Sequence, residues 1–180
     1  MIDIKIKQLF ERNLKIALEF LVNRAKDELT AQGHVLTGKT VASLESRIQG
    51  AIESGLTAEI LVDPHALILD AGVTPGRVPY SPGSGAKSSK YIDALIQYVQ
   101  LRNGASLKEA KSIAFAIAAT AKKEGHPTQG SFIYSQNGRR TGWIKHAYSD
   151  KALIEFEKRL AFDALIEGQI NTIVGNINKT

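Results

Sequence analysis

From Ile4 to about Gln32 the chain places apolar residues at Ile6, Phe10, Leu14, Ala17, Leu21, Ala25 and Leu29, three or four apart throughout, and Gly33 follows as a stop. This spacing predicts one amphipathic helix roughly 40 Å long. A helix with a single apolar stripe is stable when that stripe is covered, so the rest of the chain must supply the covering surface. With 180 residues, 43% hydrophobic and 23% charged, there is material for one core, and a single domain over residues 1–180 is expected.

After Gly33 the periodicity changes. The runs "SRIQGAIES", "TAEILVD" and "ALILDAG" are short, rich in apolar and β-branched residues, and separated by "GL" and "DPH". They predict an antiparallel meander between about Ser46 and Ala71. The segment from Gly72 to Lys90, with three prolines and four glycines, predicts a long loop with no core of its own. "YIDALIQYVQLR" predicts a short helix, and Ser106 with Glu109 has the spacing of a capping box opening a helix that stops at Gly125. Within it Ala110, Ile113, Ala114, Ile117, Ala118 and Ala121 form a face of mostly small residues suited to close packing. Asn137-Gly138, between aromatic and apolar flanks in "FIYSQNGRRTGWI", predicts a β-hairpin over 132–144. Its tip would carry Arg139 and Arg140, with Tyr134 and Trp143 as an aromatic pair near the base. A last helix, capped by Ser149 or Asp150, runs through Leu153, Phe156 and Leu160 and continues along Ile166, Ile170, Ile173 and Ile177. The expected class is α+β: long N-terminal and C-terminal helices packed with a small antiparallel sheet, a helix pair and an extra hairpin.

Several chemistries lose support at this level. Without cysteine there is neither a disulfide framework nor a thiolate metal site, and His34, His65, His126 and His146 show no metal-type spacing. The first residues, "MIDIKIKQLFERN", lack the apolar core and cleavage site of a leader, and the longest apolar run, Ile113 to Ala121, is too short to span a bilayer. A soluble protein made in the cytoplasm is expected, with no membrane partner. "GHVLTGKT", Gly33 to Thr40, matches the phosphate-loop pattern, and "EILVD", Glu59 to Asp63, imitates its acidic strand. A phosphate loop, however, is delivered by a buried parallel strand, and here a helix runs into Gly33. The interval to "EILVD" is also too short for a crossover connection. "DPH" at Asp63 to His65 with Asp70 could be drawn as a metal cluster, but strand alternation explains it more simply. Glu109 to Lys111, "EAK", imitates a nuclease motif, yet Glu in a first helical turn is favoured as a cap. The expectation is no enzyme, no catalytic residues, no metal and no cofactor.

Charge is the remaining signal. Between residues 41 and 71 acidic side chains exceed basic ones by four, whereas between 72 and 149 basic side chains exceed acidic ones by eight, within a net charge of +5. Such asymmetry points to a charged partner surface, protein or nucleic acid, or to a mildly basic solvated face. The candidate contacts are Arg77, Lys87, Lys90, Arg139 and Arg140.

The order of motifs carries a resemblance. A long N-terminal helix is followed by "TGKTVASL" (Thr37 to Leu44), a small meander ending in "LILDAG", the Pro/Gly segment "GRVPY", a helix pair, "KEGHPTQGSF" (Lys123 to Phe132) and a final helix. From about residue 5 to 175 this order resembles the neck and tail-completion proteins of tailed bacteriophages, the small connectors where head and tail join. Two departures stand out: the middle loop is longer, and the segment "YSQNGRRTGW" is inserted before the last helix. The resemblance implies a non-enzymatic virion part, assembled in the host bacterial cytoplasm into a ring with sixfold or twelvefold symmetry around the DNA channel. Its partners would be its own copies, neighbouring connector and tail proteins and, non-specifically, channel DNA. The acidic 41–71 stretch and the basic 72–149 stretch offer the two unlike patches that a heterologous ring contact needs. A basic nucleic-acid-binding protein of prophage or plasmid origin is the alternative.

Overall fold

The computed structural model describes residues 4–52, 54–83, 89–161, 166–168, 170, 171 and 174. In chain order its elements are α1 (Ile4–Ala31), α2 (Lys39–Ala42), β1 (Glu45–Ala51), β2 (Gly55–Leu61), α3 (His65–Ala71), α4 (Lys90–Asn103), α5 (Leu107–Glu124), α6 (Trp143–Ala147) and α7 (Asp150–Leu160). Two 3₁₀ turns, Pro75–Arg77 and Gln129–Tyr134, lie among them. The result is a mostly helical α+β protein with, among the described residues, one two-stranded antiparallel sheet. It divides into two compact units, one drawn from Met1–Glu28, Val41–Asp63 and Ile144–Thr180, the other from Leu29–Thr40 and Pro64–Trp143.

The first unit is built on apolar side-chain packing. Leu14, Ala17 and Leu18 of α1 are buried together with Leu160 of α7, and Phe10, Ile60 and Phe156 close the cluster. Leu14 and Ala17 belong to the stripe expected from the sequence, and Leu18 widens it. Two side chains of α1 fix the C-terminal segment: Asn13 Nδ2 donates to the Leu160 carbonyl at 3.3 Å, and Arg24 Nε to the Ala147 carbonyl at 3.4 Å. The hairpin pairs Glu45 with Leu61 and Ala51 with Gly55, and on its exposed side Arg47 Nη2 lies 2.8 Å from Glu59 Oε2. α7 has Ser149 at its N-cap and ends at Leu160, where Ala161 adopts φ 50°. The expected single helix to Ile177 is therefore interrupted, because a left-handed residue cannot continue a right-handed helix. Residues 166–168, 170, 171 and 174 are helical, whereas Ile173 and Ile177 lie outside the described residues.

The second unit is organised around the α4/α5 pair. Ser89 Oγ accepts from Ile92 N at 3.2 Å to cap α4, and Gly104 closes it with φ 64°. The Ser106/Glu109 capping box is present: Glu109 N donates to Ser106 Oγ at 3.4 Å, and Ser106 N to Glu109 Oε2 at 3.0 Å. On α5 the buried face narrows to Ala110, Ala114, Ala118 and Ala121, all fully buried. Side chains of this size let neighbouring backbone come close. Two glycine approaches pin the ends of α3 and α5 together. Val73 and His126 form an antiparallel bridge with both N–H···O distances at 2.7 Å. A Cβ on Gly125 would lie 2.4 Å from the Val73 carbonyl oxygen, and one on Gly72 2.6 Å from that of His126.

Three expectations are corrected in this unit. The third strand of the meander, "ALILDAG", is helix α3: Pro64 sits before it at φ −53°, ψ −26°, already helical, and Ala66 is the side chain it buries. An apolar run of this length is ambiguous between strand and helix, and proline at a helix start decides it. The 132–144 hairpin is not formed. Its first arm is the 3₁₀ turn Gln129–Tyr134, and its second enters α6. A hairpin needs its arms to bond each other, but here Gln136 N donates to the Ala31 carbonyl and Gly142 N to that of Asp70. The Asn137-Gly138 turn survives as a local one, with the Arg139 amide donating to Asn137 Oδ1 at 3.1 Å and to Ser135 Oγ at 3.0 Å. Finally, residues 73–80 of the long loop do pack: Val78 is buried, Lys122 Nζ donates to its carbonyl at 3.1 Å, and Tyr80 tilts against Phe115. Residues 84–88 lie outside the described residues.

Candidate functional site

The second unit carries an open cavity of about 700 Å³. Ile68 and Leu69 of α3, Tyr91, Leu95, Tyr98 and Val99 of α4, and Ile113, Ala116, Ile117 and Thr120 of α5 form its walls, and segment 126–134 adds His126, Thr128, Ser131 and Tyr134. His34, His65 and Arg140 supply its basic groups. No Asp or Glu is among the described residues that line it. A smaller cavity of about 450 Å³ shares Ile68, Tyr91 and His126 and adds Arg77.

The basic groups are held by the backbone. Gln32, fully buried, donates from Nε2 to the Thr141 carbonyl at 3.2 Å, while its own carbonyl accepts from Arg140 Nη1 at 2.8 Å. His34 Nε2 lies 3.1 Å from the Arg140 carbonyl oxygen. A carbonyl only accepts, so Nε2 carries the proton and Nδ1 is an acceptor. Burial, then the neighbouring Arg140 charge, push the His34 pKa down to about 4, which leaves the ring neutral at pH 7. Burial also lowers Arg140, which stays charged because guanidinium does not deprotonate in proteins. Arg140 Nε is buried without a hydrogen-bond partner among the described residues. A second cation stands near: the Arg102 guanidinium lies 3.7 Å over the Tyr134 ring centre.

Gly33 makes this arrangement possible. It sits at φ 77°, and a Cβ there would meet the Tyr134 carbonyl oxygen at 2.2 Å and Arg140 Nη1 at 2.7 Å. The first glycine of "GHVLTGKT" therefore serves close backbone packing after a helix. The phosphate-loop geometry is absent among the described residues, since α1 precedes Gly33 and the only described sheet is antiparallel. The Lys39 amide donates to Thr37 Oγ1 at 3.4 Å in an exposed turn. At the border of the two cavities Tyr91 Oη lies 2.7 Å from His126 Nε2. Burial raises the tyrosine and lowers the histidine, so the neutral pair, phenol donating to imidazole, is favoured. Among the described residues no group of three or more His, Asp or Glu is placed to hold a metal, and none of their helices is long and apolar enough to cross a membrane.

The candidate contacts separate. Arg77 ends the 3₁₀ turn Pro75–Arg77, exposed, at the smaller cavity. Lys90 is the exposed first residue of α4. Arg139 is exposed, while Arg140 is turned inward and half-buried rather than projecting from a tip. Lys87 lies outside the described residues. Sequence reasoning missed the cavity itself. Its traces are the tyrosines at 91 and 98, two turns apart on α4, and Ile113 and Ile117, which belong to the cavity wall and not to the buried alanine face. No family model, no curated protein and no solved structure matches the chain.

Proposed function

We propose that this chain is a structural virion protein of a tailed bacteriophage, a ring-forming component of the head–tail junction through which DNA passes. The observation that carries the reading is the meeting of two segments the resemblance singles out. "LDAG" ends α3 and "KEGHPTQGSF" leaves α5, and the Val73–His126 bridge joins them directly, with Gly72 and Gly125 permitting the approach. Short motifs far apart in sequence thus act as one architectural joint, as expected of a fold signature rather than of a reaction centre. The long α1, the antiparallel β1–β2 pair, the α4/α5 pair and α7 keep the chain order of the resemblance, while "LILDAG", expected to end its meander, is helix α3. In this reading the exposed cations of the second unit, Arg77, Lys90 and Arg139, meet carboxylates of a neighbouring copy or connector, or channel DNA.

Native mass spectrometry and negative-stain imaging test this. The protein, alone or with neighbouring connector proteins, should form closed rings of six or twelve copies. The triple variant Arg77→Ala, Lys90→Ala, Arg139→Ala should keep its melting temperature within about 2 °C, because exposed charges contribute little to stability, yet assemble poorly. A chain that stays monomeric under all these conditions and binds DNA with steep salt dependence would favour the nucleic-acid-binding alternative, which the basic excess between residues 72 and 149 supports.

A further inference from the structure

We propose that the larger cavity of the second unit is a binding site for a small organic monoanion, a carboxylate carried on an apolar body. The inference stands on the cavity alone and does not depend on ring assembly. Its volume of about 700 Å³ falls within the range of small-molecule sites. Leu95, Val99, Ile113 and Ile117 give it an apolar wall, which selects a ligand body by the water it displaces.

The polar end selects the head group. Arg140 is the cavity's permanent charge, and no acidic side chain among the described lining residues balances it. Its Nη1 is committed to the Gln32 carbonyl, and its Nε is shielded from water with no partner among the described residues. A half-buried guanidinium without a counterion is an uncompensated desolvated charge. An incoming carboxylate supplies the missing negative charge through a charge-assisted hydrogen bond to the guanidinium. Arg140 is the one guanidinium among the described lining residues, and a single negative charge matches it; the Arg102 guanidinium lies outside that lining, over the Tyr134 ring. The hydroxyls of Tyr98 and Tyr134 add donors of the right kind around the same head group.

Isothermal titration of the full chain with 4-phenylbutyrate and, separately, with the neutral isostere 4-phenyl-1-butanol tests the proposal. Saturable one-to-one binding is expected, with the acid roughly tenfold tighter than the alcohol or better. Ala116→Trp, an exposed position on the cavity wall, should weaken both ligands by about tenfold or more while the protein stays folded by circular dichroism. Arg140→Met should abolish the preference for acid. Because Arg140 also holds Gln32, that variant could misfold, and the acid-to-alcohol ratio on the unaltered protein and the Ala116→Trp result then decide. No saturable binding of the acid up to about 1 mM, equal affinity for acid and alcohol, or an affinity untouched by Ala116→Trp would each overturn the site.

Discussion

The two units reach order by different means. In the first, Leu14, Leu18 and Leu160 with Phe10 and Phe156 are held by shape and apolar area, and polar contacts such as Asn13 to the Leu160 carbonyl are additions to that packing. In the second, position is set by side chains that bond particular backbone groups: Gln32 to Thr141, Arg140 to Gln32, and Trp143 Nε1 to the Ala66 carbonyl at 2.8 Å. Area tolerates exchange among apolar residues, whereas a bond to a named carbonyl does not, because losing the donor leaves a buried acceptor unsatisfied.

The contrast is sharpest at Trp143, which is 2% exposed. Trp143→Ala should cost about 3–5 kcal/mol by removing a large buried ring. The lost hydrogen bond to the Ala66 carbonyl adds to that cost. Leu18→Met, at 4% exposure in the first unit, should cost less than about 1.5 kcal/mol, since volume and apolarity are kept. Urea midpoints for the two variants check this, and similar losses would erase the distinction.

A middle-sized effect is expected at the glycines of the second unit. Gly125 at φ 88° has the Val73 carbonyl oxygen where a Cβ would go, while Gly104 at φ 64° has nothing within 4 Å. Gly104→Ala should cost about 1–2 kcal/mol, the penalty of a left-handed alanine. Gly125→Ala should cost clearly more, because the Val73–His126 bridge must also part. Equal melting temperatures for the two would mean the bridge is dispensable.

The remaining contrast concerns pH. His34 titrates at 6.5 when unfolded and is pushed down to about 4 when folded, so between those values the unfolded chain binds more protons and stability rises with pH. Burial lowers His126 in the same direction. Stability should therefore fall as pH drops from about 6.5 toward 4, and His34→Gln, which keeps a donor for the Arg140 carbonyl, should flatten part of that slope. Urea melts at two pH values, about 5 and 7, give the comparison. An unchanged slope in the variant would show that His34 is not desolvated.

The same difference explains what could be read from the sequence. α1, the capped α5 and the start of α7 are written in local periodicity and caps, which a sequence displays directly. Arg140 shows the opposite. Asn-Gly between apolar flanks is a strong hairpin signal, and it failed because the acceptors for both flanks, on Ala31 and Asp70, lie far away along the chain. The cavity was invisible for a similar reason. It collects residues from α3, α4, α5 and the segments that connect helices, and no spacing rule links His34 to Arg140 across 106 positions.

The Asn13 to Leu160 hydrogen bond spans 147 positions, and that distance sets an order of events on the ribosome. The second unit draws on nothing beyond Trp143, so every segment it needs has been translated before the first unit's last strip, α7, exists. Domains tend to fold as their sequence emerges, and contacts between distant residues carry the largest loop-closure cost. During synthesis, then, Leu14 and Leu18 emerge early and wait longest for their partner, a nascent apolar face open to chaperones until Leu160 arrives.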